Sequence, residues 1–206
     1  MNAMTLRLAV ACMLFVSLSC CHILDSGKPA RQVYLLRAPA PASAPGAIEP
    51  ASTLIISVKA VPGLDTDRIL VLGDDARLNP VSNAHWADNM PEVFTSITRR
   101  YLSDSHRFAA VRQGSIARPD EWLLELELQA FYGLKPAAGA TTGVLLQMEG
   151  QLHCGSGQQV LNISQRSAVN GDTLSALVAA HQRVIDAAMP ELSAGVLEFC
   201  SRPGAR

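Results

Sequence analysis

No apolar run in this chain is long enough to cross a membrane. The longest, Leu8 to Ser19, has twelve residues, and as a helix it would reach roughly 18 Å against a hydrocarbon core of about 30 Å. A basic surplus is missing too. The chain has 17 Lys and Arg against 18 Asp and Glu, so nothing here is built to hold a nucleic-acid backbone. Catalytic and metal signatures are also lacking: the histidines at 22, 85, 106, 153 and 181 show no HExxH and no paired spacing, and there is neither a CxxC nor a Gly-x-Ser-x-Gly elbow. His153 and Cys154 are neighbours on a strand pattern and would point to opposite faces, so they make a poor metal pair. Gly155-Ser156-Gly157 lacks the strand-to-helix setting of a phosphate loop, and Asp65 and Asp67 follow Pro62-Gly63 as turn residues do. Neither a metal nor a cofactor is expected.

What is there begins at the N-terminus. Met1 to Arg7 carries one basic residue and no acid, and the short apolar run that follows ends in Ser19-Cys20-Cys21. That is the core of a secretion signal rather than an anchor helix, and its end resembles a bacterial lipoprotein signal, in which a cysteine is acylated and becomes the first mature residue. Cys20 follows the small Ser19; Cys21 is the alternative, because it places Leu18 three residues upstream. An ordinary cleaved signal or an uncleaved anchor, with the paired cysteines incidental, is the bland alternative. Removing residues 1–19 takes one Arg and no acid, leaving 16 basic residues against 18 acidic over 187 residues, enough for one domain with a real core.

Residues 20–52 read as a lead and tether. A brief apolar run near 33–36 is a short strand candidate, and Arg37 to Ala51 holds four prolines among alanines, which favours extended backbone. Residues 53–206 read as the folded domain. Thr53 to Val61 alternates with period two and ends at Pro62-Gly63, and Arg68 to Leu72 follows as a second strand. A polar connection leads to Asn83 through Asn89. Asp88 or Asn89 is placed to cap a helix with Pro91 and Glu92 in its first turn, and Val93, Phe94, Ile97, Tyr101 and Leu102 form its apolar stripe.

Phe108 to Val111 is a short strand candidate. Trp122 to Tyr132 alternates Leu124, Leu126, Leu128 and Ala130 with Glu125, Glu127 and Gln129. Thr142 to Cys154 and Gln159 to Val169 repeat that pattern about the turn at Gly155 to Gln158, a hairpin signature. Asn170 to Thr173 opens a long helix whose stripe continues past Pro190. The expected class is α+β: a largely antiparallel or mixed sheet with two amphipathic helices on one face. Cys154 points with the core-facing residues of its strand, and Cys200 ends the helix that must cover that core. In an oxidising compartment the two are expected to pair, closing a loop of about 45 residues.

One ordered set of weak motifs stands out: Leu54-Ile-Ile-Ser-Val-Lys-Ala-Val-Pro-Gly-Leu-Asp65, then Arg68-Ile-Leu-Val71, His85-Trp-Ala-Asp88 and Arg100-Tyr-Leu102. Together they resemble the auxiliary lipoproteins of ABC-type transport systems, over about residues 33 to 200. That family includes the lipoprotein partner of the paraquat-inducible MCE lipid-transport system. In family members the Trp-Ala pair commonly follows Arg and precedes Glu and Pro-Leu; here His85 precedes it and Asp88-Asn89 follow.

The resemblance implies a non-catalytic periplasmic subunit, held to a membrane by its N-terminal lipid and docked to an MCE-domain tunnel protein that carries lipids between membranes. Cys21 after Cys20 is not the Asp of inner-membrane retention, so the outer membrane is the expected address. Leu64, Asp65, His85 and Trp86 are expected as exposed-loop contacts for that partner, with core packing against the adjacent helix as the plain reading of Trp86. Two other classes remain: an assembly lipoprotein for another envelope machine, such as lipopolysaccharide or outer-membrane protein export, and a hydrolase whose Ser, His and Asp meet only on folding.

Overall fold

Eight strands form one curled, mixed sheet, and two long helices cover one of its faces. The computed structural model describes residues 30–41, 52–137 and 139–202. The expected signal, both candidate acylation cysteines and most of the proline-rich stretch lie outside them.

The sheet is organised around β6, Trp122–Lys135. Along one side it pairs antiparallel with β7, Gly143–Cys154, which turns into β8, Gly157–Ala168, through a two-residue loop. Gly155 takes φ +57° there, a value that costs a glycine little and suits the tight hairpin turn. On its other side β6 meets two strands in succession. β2, Leu54–Ala60, runs parallel to its first half, and β3, Arg68–Gly73, runs parallel to its end. β5, Val111–Gln113, extends the sheet beyond β2. β4, Leu78–Trp86, pairs antiparallel with β3, and β1, Gln32–Tyr34, pairs parallel with the end of β4.

A bulge in β6 connects this arrangement to the core. The register steps from Leu128 opposite Met148 to Ala130 opposite Gln147, leaving Gln129 as the extra residue. Before the bulge the even-numbered Leu124, Leu126 and Leu128 are buried; after it Phe131 and Gly133 lie opposite the buried Leu146 and Val144. The inserted residue thereby aims an aromatic ring into the helix-covered face.

Helix α1, Met90–Asp104, packs on β2 and β5, and α2, Leu174–Cys200, packs on β6, β7 and β8. Thr173 caps α2, its Oγ1 accepting from Ala176 N at 3.1 Å, which satisfies one of the free amides of the first turn. The helix continues through Pro190 to Cys200. It approaches the sheet closely at Gly195, where an added Cβ would sit 3.2 Å from the Leu161 side chain. Its last residue is disulfide-bonded to Cys154 at the end of β7, with 5.5 Å between the Cα atoms, as the face assignment of the two cysteines predicts.

Three expectations need correction. The polar connection before Asn83 is β4: Pro80 sits opposite Leu70 on a stretch that β1 leaves uncovered, because β1 reaches only Ala84 to Trp86, and an open edge tolerates proline. The short strand placed at Phe108 to Val111 falls instead at Val111–Gln113. Asn89 is the N-cap residue of α1, but its side chain makes no capping bond; its own amide donates to Asp88 Oδ1 at 2.8 Å.

Candidate functional site

The positions singled out for partner contact do come together. The connection from β2 to β3 folds back through Leu64 N to Val61 O and Thr66 N to Leu64 O, both 2.9 Å. It is then stitched to the end of β4 and the start of α1: Trp86 N donates to Asp67 O at 2.6 Å and Met90 N to Thr66 O at 3.2 Å. His85 Nδ1 lies 3.0 Å from Asp67 Oδ2 in a half-buried pair. Backbone bonds of this kind fix two adjacent loops as one surface.

Their side chains divide, however: exposure was expected for Leu64, Asp65 and His85, and for Trp86 beside the plain reading of core packing. Leu64 is 2 % exposed and Trp86 1 %, so both belong to the core. An indole of that size is stabilised far more by apolar neighbours than by water. His85 is half-buried and only Asp65 is exposed. The outward surface at this end consists of Pro62, Gly63, Asp65, Ala87, Asp88 and Asn89, and its charged groups are acidic.

Beneath it lies a group of rings that periodicity alone did not reveal. Trp86 meets Phe131 with centroids 5.8 Å apart and His181 edge-on at 5.1 Å, and Phe131 is edge-on to both Phe94 and His181 at 5.1 and 4.8 Å. His181 is fully buried. Its Nδ1 bonds Leu177 O at 2.9 Å, one turn back on α2, and its Nε2 has no partner among the described residues. Burial away from water pushes its pKa down to about 4, opposed by the Leu177 carbonyl, so the ring is neutral at physiological pH. His181 lies four residues from both Leu177 and Ile185, the spacing that could have placed it on the buried stripe.

The N-terminal segment is fastened separately. Arg37 N donates to Gln182 Oε1 and Gln182 Nε2 donates to Arg37 O, both at 2.9 Å. The side-chain amide thus imitates a strand partner, while Asp186 Oδ1 accepts its second proton at 2.7 Å. Leu36 beside it is buried.

An open cleft of about 450 Å³ lies between β3, β4 and the start of α2, with Val71, Val81 and Leu177 as floor and Asn79, Lys135 and Thr173 at its rim. Among the described residues no group of His, Cys, Asp and Glu could hold a metal, and no helix is long and apolar enough to cross a membrane.

Residues 34–192 match the family model of the ABC-type transport auxiliary lipoprotein component. Among solved structures, a Xanthomonas campestris protein of family DUF330 superposes with a TM-score of 0.68 at 17 % identity, covering 81 % of this chain and 95 % of that one. An uncharacterized protein superposes with a TM-score of 0.65 at 12 % identity, covering 82 % and 99 %. At these identities the likeness concerns the fold. No curated protein matches the chain.

Proposed function

The chain belongs to the ABC-type transport auxiliary lipoprotein family, and from that premise we propose that it is the membrane-anchored periplasmic accessory subunit of an MCE-type lipid-transport system, docking the MCE tunnel protein at the outer membrane. Membership makes it an auxiliary component of ABC-type transport; the partner and the address are our reading. The observation that carries it is the family match spanning nearly the whole described domain, behind an N-terminus whose apolar run ends at Cys20-Cys21.

A thiol bearing several acyl chains would hold the protein at a membrane, since two such chains already give stable anchoring. Its task would be to bring components together rather than to transform a substrate. The surface we assign to docking is the stitched double loop, with Asp65 and Asp88 outward. Leu64 and Trp86 support it from below, and His85 fixes one loop to the other through Asp67.

Two measurements test this reading. Labelled palmitate should enter the full chain and be lost in the Cys20→Ala, Cys21→Ala double variant, which should wash out with the soluble periplasm. The wild-type protein, extracted in detergent, should co-purify with an MCE-domain protein. Recovery of a lipopolysaccharide or outer-membrane protein export component in its place would overturn the assignment.

A further inference from the structure

Four large apolar side chains are exposed among the described residues: Val33, Leu35, Ile116 and Val160. Scattered ones are normal on any protein surface. Val33 and Leu35 are not scattered; they are 57 % and 67 % exposed at successive outward positions of one extended segment.

That segment is fixed from its inner side. β1 pairs with the end of β4 at one margin of the sheet, Tyr34 packs on the core and Leu36 is buried. Side chains alternate along extended backbone, so seating Tyr34 and Leu36 turns Val33, Leu35 and Arg37 outward, and all three are exposed. The backbone of Arg37 is clasped on both sides by Gln182. Its guanidinium meets no carboxylate among the described residues. Leu35 and Arg37 also border an open groove of about 550 Å³ along α1, whose other charged groups, Arg100 and Asp104, pair with each other at 3.6 Å. Arg37 is thus the uncompensated charge there. In the sequence, Lys28, Arg31 and Arg37 fall between Asp25 and Glu49 with no acid among them, although the whole chain is slightly acidic.

We propose that Val33, Leu35 and Arg37 form a second membrane contact: the two apolar side chains enter the headgroup layer of the bilayer that holds the anchor, and Arg37 meets anionic phospholipid. The contact rests on the lipid anchor proposed above. No more than eleven residues separate Cys20 from Gln32, so an acylated cysteine keeps these side chains close to that bilayer. A patch too weak to bind from solution is then sufficient, because a short linker supplies a high effective concentration. Apolar side chains next to Lys and Arg are the composition of interfacial segments, and each basic residue adds attraction to an anionic leaflet. Contact through a strand built into the fold orients the domain at the surface, which acylation by itself does not. None of these residues belongs to the double loop assigned to docking.

Photo-cross-linking in vesicles tests the contact. The full-length acylated chain is reconstituted from detergent into vesicles of phosphatidylethanolamine and phosphatidylglycerol, with p-benzoylphenylalanine replacing Val33, Leu35 or, as a control, Val160. Flotation with the vesicles reads the anchor, and the phospholipid adduct found by mass analysis after illumination reads the patch. The probes at Val33 and Leu35 should give that adduct several-fold more often than the probe at Val160. Arg37→Glu should lower the Leu35 adduct several-fold with flotation unchanged, since only the backbone of Arg37 holds Gln182. Exchanging phosphatidylglycerol for phosphatidylcholine should do the same. Melting at the wild-type temperature checks that each variant keeps its fold. A chain that floats while its three probes give equal adducts, a Leu35 probe that captures a second protein chain instead of lipid, or an adduct indifferent to both Arg37 and the anionic lipid would each overturn the patch and leave the anchor standing. A chain that does not float would overturn both.

Discussion

Trp86 at the end of β4 and His181 in the first third of α2 meet edge to face, their ring centroids 5.1 Å apart. This contact joins a residue expected at a partner surface to one with no expected role, and Phe131, turned inward beyond the Gln129 bulge, packs against both.

Truncating the indole should therefore act on stability. Trp86→Ala is expected to cost about 3 to 5 kcal/mol, the usual range for emptying a buried aromatic site. Chemical denaturation with a fixed denaturant slope would measure it. A midpoint shift worth less than about 1 kcal/mol would show that the ring is not a core element.

His181 makes stability depend on pH in a definite direction. Its folded pKa, about 4, lies below the ordinary 6.5, so between these values the unfolded chain binds the extra proton. The stabilisation is complete above about pH 6.5, declines as the pH falls, and is fully lost below about pH 4, by roughly 3 kcal/mol in all. Unfolding titrations from pH 7 to 4 should show this slope, and His181→Leu should flatten it. The change removes the titrating ring while leaving the site apolar, and the unpartnered Nε2 means that no second bond is broken.

The Cys154–Cys200 bridge closes a separation of 46 residues, worth about 4 kcal/mol in the chain-entropy model. Replacing both cysteines with alanine should lower stability by that order and make the final turn of α2 exchange its amides sooner than the first. Mass analysis with and without reductant should differ by two hydrogens at this pair; free thiols at both positions in protein isolated without reductant would contradict the bridge.

For docking, charge should count more than bulk. Asp65→Lys combined with Asp88→Lys should weaken capture of the proposed MCE-domain partner at least tenfold while leaving the melting temperature within about two degrees, because both residues are exposed. Unchanged capture would remove the double loop from consideration.

Much of this fold was legible as alternation. β2, β6, β7 and β8 each repeat apolar and polar residues with period two, and the α2 stripe runs through Pro190. β4 was hidden because its first half has no such period and contains Pro80, while Asn83 takes φ +54°, breaking the pattern that marks a strand. Parallel pairing of β2 and β3 with β6 was equally invisible, since it depends on partners far apart in the chain. The candidate surface was found by position but not by orientation. Motif order located the two loops, yet whether Leu64 and Trp86 point out or in depends on the space left under α1 and α2, which local sequence does not encode.

The clasp between Arg37 and Gln182, together with β1, sets a limit on reach. The first strand, β1, starts at Gln32, ahead of the proline-rich stretch. If Cys20 or Cys21 carries the lipid, at most eleven residues lie between the acylated cysteine and the first strand, and that stretch fully extended spans no more than about 40 Å. The domain would then work within about its own width of the membrane, and a partner anchored in the opposite membrane would have to extend most of the distance to meet it.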